Sequence, residues 1–219
     1  MKKLSVIIVL LSLISFVSCE KASITGSGSI ISQVRNTGAF TGFRSYGDIN
    51  VHVTYGNILS VEVKGYANLV AITVTEVKNG LLEIKYDNKY NRINNSNMEV
   101  YITSPVLLTV NTYGSGDVWI NGFQNGDHLS SSINGSGDQY ISNSNYNTSS
   151  FDIFGSGNIR AQGLQTINTT ATIHGSGDVD ISCSAMLRAR INGSGDIGYW
   201  GNPGLDVVIS GSERIQKKG

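Results

Sequence analysis

Apolar and polar positions alternate in short runs through the second half of the chain. One set comprises Leu129-Ser131-Ile133, Phe151-Ile153, Thr169-Ala171-Ile173, Leu187-Ala189-Ile191 and Leu205-Val207-Ile209. A second comprises Val118-Ile120, Gln139-Ile141, Ile159-Ala161, Val179-Ile181 and Ile197-Tyr199. A period of two predicts half-buried strands. The two sets are joined by one phrase: Gly114-Ser115-Gly116-Asp117, Gly135-Ser136-Gly137-Asp138, Gly155-Ser156-Gly157-Asn158, Gly175-Ser176-Gly177-Asp178 and Gly193-Ser194-Gly195-Asp196. Its first glycines are 21, 20, 20 and 18 residues apart, and a worn copy, Gly211-Ser212-Glu213, follows 18 later. Ile133, Ile153, Ile173, Ile191 and Ile209 each stand two positions before a first glycine, with Thr112 the exception, so the repeats superimpose.

A fixed period near 20 is the mark of a solenoid. Two glycines flanking a serine permit positive φ twice in four residues, and the Asp or Asn that follows can hydrogen-bond its own local backbone. The phrase is therefore expected to form a corner, with Asp117, Asp138, Asn158, Asp178 and Asp196 as its capping residues. Two strands and two turns per repeat predict an all-β chain built as a right-handed β-helix-like solenoid. Its coils are of about 20 residues, stacked in parallel about 4.8 Å apart around the inward Ile, Val and Leu side chains.

The first half alternates with a looser rhythm. Ile49-Val51-Val53, Leu59-Val61-Val63, Val70-Ile72-Val74, Leu82-Ile84-Tyr86 and Met98-Val100-Ile102 read as strands, and Asn79-Gly80 as a hairpin turn. Asp87 to Asn97 reads as a flexible loop, and Pro105 ends a run before Val106-Leu108-Val110. Gly26-Ser27-Gly28-Ser29 is a degenerate phrase suited to a cap or an outlying coil. Antiparallel pairing in this half would close one end of the solenoid, whose open edges need covering. The expected organisation is residues 1–18 as a signal peptide and 19–219 as a single domain. Within it, 20–110 is an irregular β-rich half that caps or extends the solenoid, and 111–213 is the regular half.

The signal peptide follows from Lys2-Lys3 and the apolar stretch Leu4 to Val17, too short for a comfortable membrane span. Ser18 immediately before Cys19 resembles a bacterial lipobox, which predicts cleavage before Cys19, lipidation of its thiol and tethering to a membrane. The alternative is an ordinary secretory signal. Cys183 is then the one remaining cysteine, too few for a disulfide framework and best suited to filling space. His52, His128 and His174 are isolated, so no metal cluster is expected, and no cofactor. Without Lys2 and Lys3 the 16 basic residues become 14 against 16 acidic ones, a net charge of −2 with no basic stripe, which argues against nucleic acid. With only 15% charged residues, the surface must be largely Ser, Thr, Asn and Tyr, a composition common on extracellular binding surfaces.

Two outward columns are the candidate chemistry. Trp119, Tyr140, Arg160 and Asp180 follow the inward position after each corner; Tyr113, Asn134, Phe154 and His174 precede each corner. Exposed rings with polar neighbours suit a sugar-binding or protein-binding face, so Trp119, Tyr140, Arg160, Tyr113, Phe154 and His174 form the candidate face. Covering turns and edges of the solenoid is the plainer role for the same residues. The stacked aspartates could hold a cation between them, yet calcium β-rolls use a nine-residue repeat and local capping accounts for Asn158 as well.

The ordered series Gly26-Ser27-Gly28, Arg35-Asn36, Phe40-Thr41-Gly42-Phe43, Gly47-Asp48-Ile49-Asn50-Val51, Asn68-Leu69, Gly80-Leu81-Leu82, Ser104-Pro105-Val106-Leu107 and the serial Gly-Ser-Gly-Asp resembles the head GIN domain family. Its members are auto-transporter adhesins, chiefly lipoproteins of Bacteroidetes. The resemblance spans nearly all of the chain after Cys19. It implies an exported β-protein of the cell envelope and outer membrane with an adhesion role, and brings no catalytic residues. The leading expectation is a lipid-anchored, non-catalytic binding protein whose partner is a glycan or a surface protein. A structural envelope spacer is the alternative. A carbohydrate-active β-helix enzyme is a weaker one, because Asp152, Asp180 and Asp206 are scattered and have no partner base.

Overall fold

The computed structural model describes residues 22–210 and 213–219; Cys19 and the expected signal peptide lie outside them. In chain order the strands are β1 (Ala22–Thr25), β2 (Ile30–Val34), β3 (Gly42–Gly47), β4 (Asn50–Tyr55) and β5 (Ser60–Tyr66). A short helix α1 (Ala67–Ile72) precedes β6 (Thr73–Lys78), β7 (Leu81–Tyr86), β8 (Tyr90–Asn94) and β9 (Glu99–Ser104). Then come β10 (Thr109–Gly114), β11 (Val118–Asn121), β12 (Gly126–Gly135), β13 (Gln139–Ser142) and β14 (Ser144–Ile153). The last are β15 (Ile159–Ile173), β16 (Val179–Ile191), β17 (Ile197–Trp200), β18 (Gly204–Ile209) and β19 (Ile215–Lys217). The protein is all-β apart from α1, and seventeen strands belong to one mixed sheet.

Two parallel ladders carry the repeat. Before the corner, β7, β3, β10, β12, β14, β15, β16 and β18 pair in that order. After it, β9, β4, β11, β13, β15, β16, β17 and β19 do the same. The register puts Thr112 on Ile133, Ile133 on Ile153, Ile153 on Ile173 and Ile173 on Ile191. The side chains expected to point inward are buried, from Val118 and Leu129 through Ile191 and Ile197. Leu205, Val207 and Ile209 depart from this: on β18, the last strand of its ladder, nothing covers them among the described residues and they are 49%, 40% and 37% exposed.

Thr112 interrupts the aliphatic column because the side chain of Gln139 is inside. Gln139, fully buried, donates through Nε2 to Thr112 Oγ1 (2.8 Å) and Ser132 O (3.0 Å) and accepts from Ser131 Oγ. A buried amide is tolerated only when its donors and acceptor are satisfied, and the two hydroxyls meet that need.

The corners hold for a different reason from the one expected. Of the first glycines in the five phrases, only Gly114 (φ 139°) lies in the left-handed range. What they share is contact: a Cβ on Gly135 would sit 2.0 Å from Gly114 O, on Gly155 1.9 Å from Gly135 O, and on Gly175 1.9 Å from Gly155 O. Successive repeats touch backbone to backbone there, and only hydrogen fits. The following serine N–H donates to that same carbonyl, as in Ser136 N to Gly114 O at 2.8 Å.

Chain order and spatial order part company in the first half. β3, the corner Gly47-Asp48-Ile49-Asn50 and β4 form a regular repeat lying between the 81–104 strands and the 109–121 strands. At that end β2–β5, β5–β9 and β6–β7 pair antiparallel. Asn79 (φ 52°) and Gly80 (φ 76°) make the turn between β6 and β7, in agreement with the hairpin reading. Val70 and Ile72, expected on a strand, lie instead on α1, which buries Leu69 and Val70. At the end of a ladder a strand here would lack a partner on one side, and a helix can satisfy backbone groups within itself. Arg35 Nη2 donates to Val70 O at 2.6 Å, closing one of its last carbonyls. Tyr90–Asn94, expected as part of a loop, is β8, paired in parallel with β1 from 68 or more residues away. Val106 and Leu108 are exposed while Leu107 is buried, so the alternating run begins only at Thr109.

Candidate functional site

The first outward column is longer than the sequence indicated. In register it runs Tyr101, His52, Trp119, Tyr140, Arg160, Asp180. Ring centroids are 4.9 Å apart for Tyr101 and His52, 4.5 Å for His52 and Trp119 and 5.7 Å for Trp119 and Tyr140, all within 13° of parallel. Two members of the column have polar partners: His52 Nε2 lies within hydrogen-bond distance of Glu99 Oε2 (2.5 Å), and Arg160 Nη1 pairs with Asp180 Oδ2 at 2.7 Å. Tyr140 Oη donates to Asp138 Oδ2 (3.1 Å), and partial desolvation together with that carboxylate pushes its phenol up from the ordinary value.

The second column splits in two. Tyr113 stacks on Tyr46 at 5.0 Å and Phe154 on His174 at 4.8 Å, with Asn134, in register with Tyr113, between the pairs. Phe154 is half exposed. Stacking consumes ring faces: each interior ring has its two faces against neighbours and turns an edge to solvent. A sugar packs on a face, so this strip is better suited to a broad, flat surface contact than to holding a monosaccharide. His52, Tyr101 and Tyr46 escaped the sequence reading, although Tyr46-Gly47-x-x-Asn50-Val51-His52-Val53 matches Tyr113-Gly114-x-x-Asp117-Val118-Trp119-Ile120 place for place.

The carboxylate column does not cap its own turns. Asp117 Oδ1 accepts the backbone N–H of Asp138 (2.8 Å), Asp138 that of Asn158 (2.7 Å), Asn158 that of Asp178 (3.0 Å) and Asp178 that of Asp196 (2.8 Å). Asn50 begins the series on Asp117 N and Arg214 N ends it on Asp196. Each side chain reaches the next repeat, where a backbone donor stabilises the ionised acceptor. An amide oxygen serves equally, which explains Asn158 and Asn50. Among the described residues no three His, Cys, Asp or Glu side chains converge as metal ligands.

On the opposite turn of the repeats, Gln162, Gln165, Ser182, Cys183, Ser184, Trp200 and Asn202 line a cavity of about 620 Å³. The Cys183 thiol is turned to Ile167 O and Met186 O and is buried, in keeping with a space-filling role.

A family described as "Putative auto-transporter adhesin, head GIN domain" matches residues 39–203. Among solved structures, an adhesin so described from Bacteroides fragilis is 22% identical with a TM-score of 0.73, over 89% of this chain and 100% of that one. A protein from Parabacteroides distasonis described as lipid binding is 22% identical with a TM-score of 0.54, over 90% and 100%. One from Parabacteroides merdae described as an adhesin is 18% identical with a TM-score of 0.53, over 90% and 99%. These likenesses concern the fold. No curated protein matches the chain.

Proposed function

Because the chain belongs to the head GIN domain family, we propose that it is an adhesin-like binding protein of the bacterial cell envelope that works without catalysis. In this reading residues 1–18 are removed on export and Cys19 carries the lipid that tethers the protein to the outer membrane. Residues 19–219 form one domain: the two ladders are the walls of a right-handed solenoid, 111–213 its regular coils and 20–110 its capped end. Trp119, Tyr140 and Arg160, with Tyr113, Phe154 and His174, lie on the surface offered to a partner.

One observation carries the reading. Four stacked rings, one of them hydrogen-bonded to Glu99, continued by the Arg160–Asp180 ion pair, make a strip whose groups are already satisfied by one another, so a partner meets a preorganised surface at little ordering cost. The carboxylates that could have served acid–base chemistry accept backbone hydrogen bonds in equivalent positions instead. Surface proteolysis of intact cells tests the proposal: the protein is expected to be cleaved on whole cells and released from the membrane fraction by Cys19→Ala. Protection on whole cells with cleavage only after envelope rupture would overturn the adhesin reading. Trp119→Ala with Tyr140→Ala, in a folded protein, is expected to abolish adherence to the surface that binds the wild type.

A further inference from the structure

We infer that the groove on the turn opposite the Gly-Ser-Gly corners is a binding site for a neutral saccharide, with Trp200 as its aromatic wall. This deepens the reading of the chain as a binding protein and rests on it. The 620 Å³ cavity is continued by a second of about 350 Å³, the two sharing Gln165 and Ser184. The second adds Asn125, Asn145 and Asn147, so carboxamides recur along the stacking direction.

The lining decides the ligand class. Neither cavity has a charged side chain on its wall; Lys217 Nζ, donating to Asn202 Oδ1 at 2.6 Å, puts one positive charge behind the wall at the Trp200 end. Along the rest of the groove an ionic ligand would lose its hydration without a counter-charge. A free carboxamide offers both a donor and an acceptor, the match for hydroxyls that do both; Asn145 uses both groups on Gln124 and Asn125, and Asn147 and Asn202 one each, on Asp127 and Lys217. The side-chain amides of Gln162 and Gln165 make no hydrogen bond among the described residues, while the backbone carbonyl of Gln162 is taken by Ser182 Oγ.

Trp200 closes the groove at one end. It stands beside Ser182 in the ladder, and the chain turns away after it at Gly201 (φ 100°), where a Cβ would lie 2.2 Å from Cys183 O. Unlike Trp119, it is in no stacked pair among the described residues; Gly219 lies against its five-membered ring, where an added Cβ would be 2.8 Å from Cδ1, and Trp200 is among the residues lining the cavity. A peptide is the other neutral polar polymer, but the strands here, 179–182 and 197–199, already have parallel partners on both sides. Within the groove an added strand finds no edge; among the described residues the open edges at this end are those of β18 and β19, the last strands of the two ladders.

The test uses the protein labelled with 5-fluorotryptophan, whose two tryptophans give two ¹⁹F resonances, assigned with Trp200→Phe. The probes are the methyl glycosides of glucose, galactose, mannose and N-acetylglucosamine, their β1,4-linked disaccharides, galacturonate, and a neutral Gly-Ser-Asn peptide. The expected result is a saturable shift of the Trp200 resonance with a neutral saccharide, weakened about tenfold in Gln162→Ala/Gln165→Ala by the loss of two neutral hydrogen bonds. Unchanged circular dichroism of that variant confirms its fold. No Trp200 response to any neutral saccharide overturns the proposal, as does a response to galacturonate or to the peptide alone. A response of Trp119 alone would sink this site and leave the binding-protein reading standing; protection of the protein on whole cells would sink that reading whatever Trp200 reports.

Discussion

Replacing Gly135 with alanine tests why the corner phrase exists. The added Cβ would lie 2.0 Å from Gly114 O and 2.8 Å from Gly114 C and N, where unstrained carbon contacts are about 3.5 Å or more. All three neighbours are backbone, so relief requires the two repeats to separate locally by more than an ångström. Gly114 O accepts from Ser136 N (2.8 Å) and Gly137 N (3.2 Å), and that separation breaks both bonds. Two hydrogen bonds at about 1 kcal/mol each and overpacking strain of about 1–3 kcal/mol give a loss of about 3–5 kcal/mol. Against a stability of about 5–15 kcal/mol this is severe. Urea unfolding followed by circular dichroism should show the midpoint falling by more than about 1 M at an unchanged slope. Gly38→Ala, with nothing within 4 Å, is the control and should stay within about 0.5 kcal/mol of wild type. Gly114 has φ 139° and the first glycines of the four later phrases are outside the left-handed range, so conformational freedom as the cause predicts damage at Gly114 only. A Gly135→Ala protein as stable as wild type would refute the contact argument.

Asp138→Asn should be within about 0.5 kcal/mol of wild type, since an amide oxygen can still accept from Asn158 N, whereas Asp138→Ala, losing the acceptor for Asn158 N and Nδ2, should cost about 1–2 kcal/mol; thermal melts compare them, and equal damage from both would favour a bound cation. Gln139→Leu should cost about 2–4 kcal/mol by leaving the Thr112 and Ser131 hydroxyls buried and unpaired, and the triple variant Thr112→Val/Ser131→Ala/Gln139→Leu should recover most of it in urea melts. Burial pushes the phenols of Tyr86 and Tyr146 well above their ordinary value. A raised folded-state pKa means that their contribution is intact below about pH 10 and is lost as pH rises toward the folded value, at up to about 1.4 kcal/mol per pH unit for each tyrosine. Stability measured from pH 9 to 12 should fall less steeply in Tyr146→Phe.

The period of the hydrophobic pattern belonged to the sequence alone. A spacing near 20 with an isoleucine two places before each glycine fixes which side chains are inside, because a strand's faces alternate and the buried face must be apolar. The outward places of Trp119, Tyr140, Phe154 and His174 follow from the same parity. Tertiary structure decided what depends on distant neighbours. The return of β3 and β4 between strands that follow them in the chain brought His52 and Tyr101 onto the Trp119 column, from 67 and 18 residues away in sequence. It turned residues 67–72 into a helix at a ladder's end and gave β8 its partner in β1. It also made each glycine a contact and each aspartate an acceptor for the next repeat. Local propensity and periodicity describe a residue's own segment; ring stacking, the Gly–Gly contacts and the carboxylate series exist only between segments, so they had to await the register of the ladders.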